Sequence, residues 1–290
     1  MHGTVDGFSY GLVTPVAAFI MACLGGALGL RCTARSLRAG RSFKAAWLAL
    51  GATSIGSGIW TMHFIAMMGF SVHEVPFGYD RGITFASLAV AIVMVGIGVF
   101  IVGYRGAIPM ALVTGGTITG LGVATMHYLG MAGIRMNGEF QYNTAVVSVS
   151  VVIAVVAATT ALWAAVSVRG FLASLAASLV MGVAVSGMHY TGMAALSVQL
   201  HSGASGAPAP AGGESSAALL APMLIGPIAF LVLAGVVVMF DPLVVMGKPD
   251  WEKRPPRAIP APRHRPSFPE PTSWAASEPP REGSASPHDW

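Results

Sequence analysis

From Ile83 to Gly103 the chain reads ITFASLAVAIVMVGIGVFIVG, an apolar run without Asp, Glu, Lys or Arg, closed on its two sides by Arg81 and Arg105. About twenty such residues, wound as a helix, cross the ~30 Å hydrocarbon core of a bilayer. Outward from this run, six more charge-free stretches repeat the pattern, at 9–30, 46–70, 107–133, 144–168, 171–198 and 218–240. Val- and Ile-rich segments such as Ala145–Val156 would suit a buried strand in a soluble protein, but at this length and hydropathy a helix satisfies every backbone group internally. The sequence therefore predicts an all-α membrane protein with seven transmembrane helices over residues 1–240.

Composition agrees. Of 290 residues, 54% are hydrophobic and only 10% charged, against about a quarter charged in soluble domains. A water-soluble enzyme, a disordered protein and a disulfide-stapled secreted domain are excluded. Cys23 and Cys32 fall on one helix and its exit, ~13 Å apart along the axis and beyond bridging distance.

The net charge of +4 reads as topology, and no nucleic-acid partner is expected. Arg31, Arg35, Arg38, Arg41 and Lys44 fill the 30–45 loop, Arg105 and Arg169 the two shortest connections, and the remaining seven of this set the tail from Lys248 to Arg281. On the opposite side stand Arg81 and Arg135 among Asp6, Glu74, Asp80, Glu139 and Glu214. The excess of Lys and Arg marks the cytoplasmic side. The chain is thus expected in a plasma membrane, N-terminus outside and tail inside. No basic segment precedes the first span, which argues against a cleaved signal peptide. Residues 199–217 read as a flexible external linker. Residues 241–290, with 12 of the 19 prolines, read as a disordered cytoplasmic tail.

An internal repeat carries the chemistry. Met62-His63-Phe64 with Met67, Met126-His127-Tyr128 with Met131, and Met188-His189-Tyr190 with Met193 share the pattern Met-His-aromatic-x-small-Met, with histidines 64 and 62 residues apart. Each copy lies toward the outer end of an even-numbered helix, which divides the fold into three pseudo-repeated helical hairpins, 1–2, 3–4 and 5–6, plus a seventh helix. His at i and Met at i+4 share a helix face. Gly56, Gly58, Gly120, Gly122, Gly182 and Gly187 precede the cassettes, where small residues permit close helix approach. Trp60, in the first copy only, reads as interfacial packing, and His73 and His201 as surface groups or auxiliary ligands.

Imidazole with thioether, and no carboxylate in the spans, points to copper first and haem second. A packing motif preserved by duplication is the alternative for such a cassette. Ionisable residues inside a membrane are nevertheless functional candidates by default.

Met188-His189-Tyr190-Thr191, with its variants Met62-His63-Phe64-Ile65 and Met126-His127-Tyr128-Leu129, resembles the bacterial MHYT-domain family across residues ~9–240. That resemblance implies an integral-membrane sensory module with its motifs near the outer face, proposed to bind copper through Met62, His63, Met126, His127, Met188 and His189 and to sense oxygen, carbon monoxide or nitric oxide. Phe64 departs from the family tyrosine, which puts any hydroxyl role in the first copy in doubt. Many relatives carry a fused cytoplasmic output domain, whereas only a tail follows helix 7 here, so a separate cytoplasmic signalling partner is implied. No nucleotide loop, nucleophile elbow or paired carboxylates support an enzyme. Copper or proton transport along the pseudo-threefold axis and a haem-binding membrane protein remain the competing readings.

Overall fold

The computed structural model describes residues 2–3, 5–7, 9–72, 75, 77–168, 170–200 and 216–240. Seven helices run through it: α1 (Val13–Ser36), α2 (Arg41–Met68), α3 (Arg81–Arg105), α4 (Pro109–Ala132), α5 (Thr144–Ser167), α6 (Phe171–Ala194) and α7 (Ser216–Met239). Six are long and apolar enough to cross a membrane. The seventh, α2, reaches that length but is less apolar, because α1, α3 and α7 surround it and nearly every residue from Gly51 to Phe70 is buried. A helix shielded from lipid by its neighbours has no need of a greasy surface.

The helices form a ring in chain order, each packed on the next and α6 returning to α1, with α7 set against α2 and α1. Glycines seven residues before each histidine make the joints between hairpins. Gly56 lies against Ile92 of α3, Gly120 against Val155 of α5, and Gly182 against Cys23 of α1. Of the other glycines ahead of the cassettes, Gly58 meets Gly25 of α1 and Gly122 meets Met94 of α3, inside their own hairpins, while a Cβ on Gly187 would meet nothing.

Seven short strands, which the sequence reading did not anticipate, gather where the even helices end: β1 (His2–Gly3), β2 (Val5–Asp6), β3 (Ser71–Val72), β4 (Phe77–Tyr79), β5 (Ile134–Met136), β6 (Gly138–Tyr142) and β7 (Leu196–Leu200). The strand before each hairpin pairs antiparallel with the strand after it, β2 with β3, β4 with β5 and β6 with β7, and β1 adds to β7. Each hairpin is also latched by one equivalent backbone bond. Ser9, Asp80 and Asn143 donate their N–H to the carbonyls of Gly69, Gly133 and Ala195, at 3.0, 2.8 and 2.9 Å. At the opposite end the turns are tight, with Gly106 and Gly170 at φ 77° and 89°, left-handed conformations that favour glycine.

Several boundaries shift. α1 continues six residues beyond Leu30 and α2 begins at Arg41, so Arg31, Arg35, Arg41 and Lys44 stand on helix ends rather than in a loop. Charge ends an apolar run but not a hydrogen-bonded helix, and long basic side chains reach out from terminal turns. Arg35 lies 5.4 Å from the Trp47 ring centroid and Lys44 4.8 Å from that of Tyr104. Helix α6 stops at Ala194 rather than 198, because Leu196–Leu200 is taken up as β7 between β6 and β1. Cys23 and Cys32 both lie within α1. Arg169, most of the 199–217 linker and the whole 241–290 tail lie outside the described residues.

Candidate metal centre

The three cassettes converge. His63 projects from α2, His127 from α4 and His189 from α6, and all three are essentially inaccessible, at 1%, 0% and 2% exposure. Their Nδ1 atoms face one another, with separations of 3.0 Å (His63–His189), 3.2 Å (His63–His127) and 3.4 Å (His127–His189). The rings stand nearly perpendicular to each other, with interplanar angles of 79°, 77° and 87°.

Each imidazole is walled by the aromatic residue that follows it: Phe64, Tyr128 and Tyr190 lie edge-on at centroid distances of 4.6, 4.8 and 4.9 Å. The Tyr128 hydroxyl reaches Ser150 of α5 at 2.6 Å. Phe64 has no hydroxyl to satisfy and instead packs against Trp60 and Tyr79. Trp60 is not interfacial: it is fully buried, and its indole N–H donates to the Thr84 carbonyl and Ser87 Oγ of α3 at 3.2 and 3.0 Å.

The glycine three positions after His127 receives the His63 ring, and the glycine three positions after His189 receives the His127 ring. A Cβ on Gly130 would lie 2.8 Å from His63 Nε2, and one on Gly192 would lie 2.5 Å from His127 Nε2. Neither Nε2 has a hydrogen-bond partner among the described residues. The small position of the repeat, Gly130 and Gly192 in the second and third copies, is the sequence signal for this packing.

Three inward Nδ1 atoms pose a hydrogen-bonding problem that a cation solves. Neutral imidazole offers one proton and one lone pair, so three mutually facing nitrogens cannot all be paired by N–H···N bonds. A triangle with these sides has its centre about 1.85 Å from each corner (mean side over √3). Imidazole–metal bonds of about 2 Å therefore fit an ion at or slightly off that plane. The donor set of three neutral nitrogens suits copper, zinc, iron or nickel by ligand type.

Of the six cassette methionines, Met62, Met67, Met126, Met131 and Met188 are buried in the same core, and Met193 is half-buried. His73 and His201 lie outside the described residues.

Outside the helices, Asp80 caps α3 through Ile83 N–H at 3.0 Å and pairs with Arg135 of β5 at 2.8 Å. The hydrogen bond from Arg135, then that from Ile83, holds its carboxyl below the usual range. Burial, with Tyr128 adding, pushes the Tyr142 hydroxyl up to about 12.

Comparison with known proteins agrees with this threefold construction. A family model described as a bacterial signalling protein N-terminal repeat matches three times, at residues 56–115, 120–178 and 182–240. Each match opens inside an even helix just ahead of its cassette and runs on through the next odd helix. The chain is 37% identical over 199 residues to the bifunctional diguanylate cyclase/cyclic di-GMP phosphodiesterase MucR of Pseudomonas aeruginosa, an alignment covering 67% of this chain and 29% of the relative. It is 35% identical over 212 residues to the cyclic di-GMP phosphodiesterase NbdA of the same organism, covering 69% and 27%, and 33% identical over 157 residues to the signaling protein YkoW of Bacillus subtilis, covering 51% and 19%. The chain thus spans less than a third of the length of these relatives. No solved structure matches.

Proposed function

Because this chain belongs to the MHYT family of bacterial signalling proteins, we propose that it is a membrane-embedded sensory module. His63, His127 and His189 hold reduced copper, with Met62, Met67, Met126, Met131, Met188 and Met193 supplying soft sulfur around it. Its signal is a diatomic gas: oxygen, carbon monoxide or nitric oxide. The observation that carries this reading is the buried Nδ1 triangle, with sides of 3.0–3.4 Å.

When bound, reduced copper supplies affinity for small diatomic ligands. The chain supplies the rest: three neutral imidazoles fixed by their aromatic walls, and a water-excluding core. Three imidazole nitrogens within 3.4 Å of one another favour a single ion over haem, because no planar macrocycle fits between them. Ion transport along the axis is disfavoured by the apolar side chains one turn beyond the histidines, Ile59, Val123 and Val185, which offer a cation nothing to replace its water.

In this reading the N-terminus is outside, the C-terminal segment is cytoplasmic, and the chain catalyses no reaction itself. A separate cytoplasmic signalling partner reads the change in helix packing. The test is metal content after purification in mild detergent under reducing conditions, beside a His63/His127/His189→Ala variant. About one copper per chain, lost in the variant, is expected. A folded wild-type protein that takes up no copper overturns the proposal.

A further inference from the structure

Beyond the histidines, toward the hairpin turns, lies a cavity of about 40 Å³. Its wall repeats with the fold. Ile59, Val123 and Val185 sit four residues before the three histidines, and Ile55, Thr119 and Met181 eight residues before. These positions share the helix face of the imidazoles, so the cavity begins about one turn, ~6 Å, from them along the axis. Ala154, Ala157, Ala158 and Ala161, one face of α5, together with the cassette residue Met188, complete the wall.

The wall is apolar. Its single hydroxyl, Thr119 Oγ1, is turned onto Gly98 of α3 and has no hydrogen-bond partner among the described residues. A water molecule needs about 10–15 Å³ and two to four polar partners. This cavity has the volume and lacks the partners, so it stays dry and suits an uncharged molecule of a few atoms.

A second, larger hollow of about 510 Å³ runs along the outer side of α5 and α6 and is lined by exposed residues such as Val152, Val156, Trp163 and Val180. The two hollows share Ala157, Ala161 and Met181. The shared wall is thin because two of its three members are alanine. The hairpin before it is closed at the same place: Asp80 and Asn143 cap α3 and α5 63 residues apart, and at that offset Ala157 corresponds to Met94, whose side chain fills the space beside Gly122.

We infer that a small uncharged molecule reaches the histidine centre sideways from the lipid, passing between α5 and α6 at Ala157, Ala161 and Met181 and resting in the cavity on the pseudo-threefold axis. The occupant is a diatomic gas, which concentrates in apolar phases and needs no polar path. This inference deepens the sensory reading and rests on it for the identity of the ligand, but the cavity and its entrance are testable without metal.

Xenon is the probe, followed by NMR on the protein in lipid nanodiscs. Wild type is expected to show one saturable xenon site. Val123→Phe, which fills the cavity, lowers occupancy at least about tenfold, Ala161→Phe slows exchange about tenfold with the site retained, and Met181→Ala speeds exchange. The opposed directions of the last two variants separate a narrowed entrance from a damaged fold. A folded wild type without a saturable xenon site overturns the inference, as does exchange that neither entrance variant changes. A folded wild type that takes up no copper yet keeps its saturable xenon site defeats the copper reading alone. Copper uptake without a xenon site defeats the lateral route alone.

Discussion

His63 Nε2 of α2 rests against the bare backbone of Gly130 of α4, so closely that a Cβ there would stand 2.8 Å from the nitrogen. His127 of α4 and Gly192 of α6 repeat the relationship. Metal-ligating imidazoles usually donate their second N–H to a carbonyl or carboxylate that fixes the ring. At His63 and His127 steric fit stands in place of such a bond, and the missing side chain at Gly130 and Gly192 sets ring orientation, whereas the first cassette carries Ala66 at that position.

Gly130→Ala is therefore expected to fold and to displace the His63 imidazole, lowering copper affinity about 10–100-fold, the range seen when the groups that orient a ligand are altered. Competition titration with a reduced-copper chelator measures it. Gly187→Ala, one residue from Met188 in a position where a Cβ meets nothing, is the control, and there affinity stays unchanged while stability rises by up to about 1 kcal/mol.

Gly25→Ala tests the ring itself. A Cβ at this position would lie 2.7 Å from Gly58 Cα and 2.8 Å from the Ser54 carbonyl, both backbone atoms that have no rotamer to move into. The crossing of α1 on α2 must widen, at a cost of about 1–3 kcal/mol. Thermal unfolding in detergent should show a lowered midpoint; an unchanged one contradicts the packing.

Trp60→Phe removes the N–H that ties α2 to Thr84 and Ser87. The net loss is about 1–2 kcal/mol for bonds made in a fully buried setting. The signature is faster hydrogen exchange in the first turns of α3, with the histidine centre still able to bind metal.

Asp80 gives a pH dependence with a defined sign. Its carboxyl is held low in the folded state by Arg135 and by the cap on Ile83, so its contribution is full above the unfolded carboxylate value of about 4 and is lost as pH falls through the lower folded value. Wild type should lose thermal stability below about pH 4 more steeply than Asp80→Asn. Parallel curves for the two proteins would contradict this role.

The helices and the threefold cassette were legible because both leave periodic traces: charge-free runs of span length, and one motif returning after 64 and 62 residues; that the three histidines meet was not, because it depends on which way each helix faces its neighbours. The strands left none. Ser71–Val72 and Val5–Asp6 are two residues each and have no alternation to read. They pair only because the hairpin that joins them brings them together. The end of α6 was misplaced for the same reason, since Leu196–Leu200 is apolar enough to continue a helix until β6 and β1 claim its backbone. Trp60 was misassigned because its partners are 24 and 27 residues away on another helix. No local pattern announces a pairing of that kind.

The strand pairs that close each hairpin have a consequence for how the protein can be taken apart. β2 with β3, β4 with β5 and β6 with β7 each join the two ends of one hairpin, so each hairpin is fastened to itself independently of its neighbours. Cutting the backbone between units, in the segment from 73 to 76, severs no strand pair. Two fragments expressed separately from that site should therefore find each other in the membrane and rebuild one centre from histidines carried on different chains.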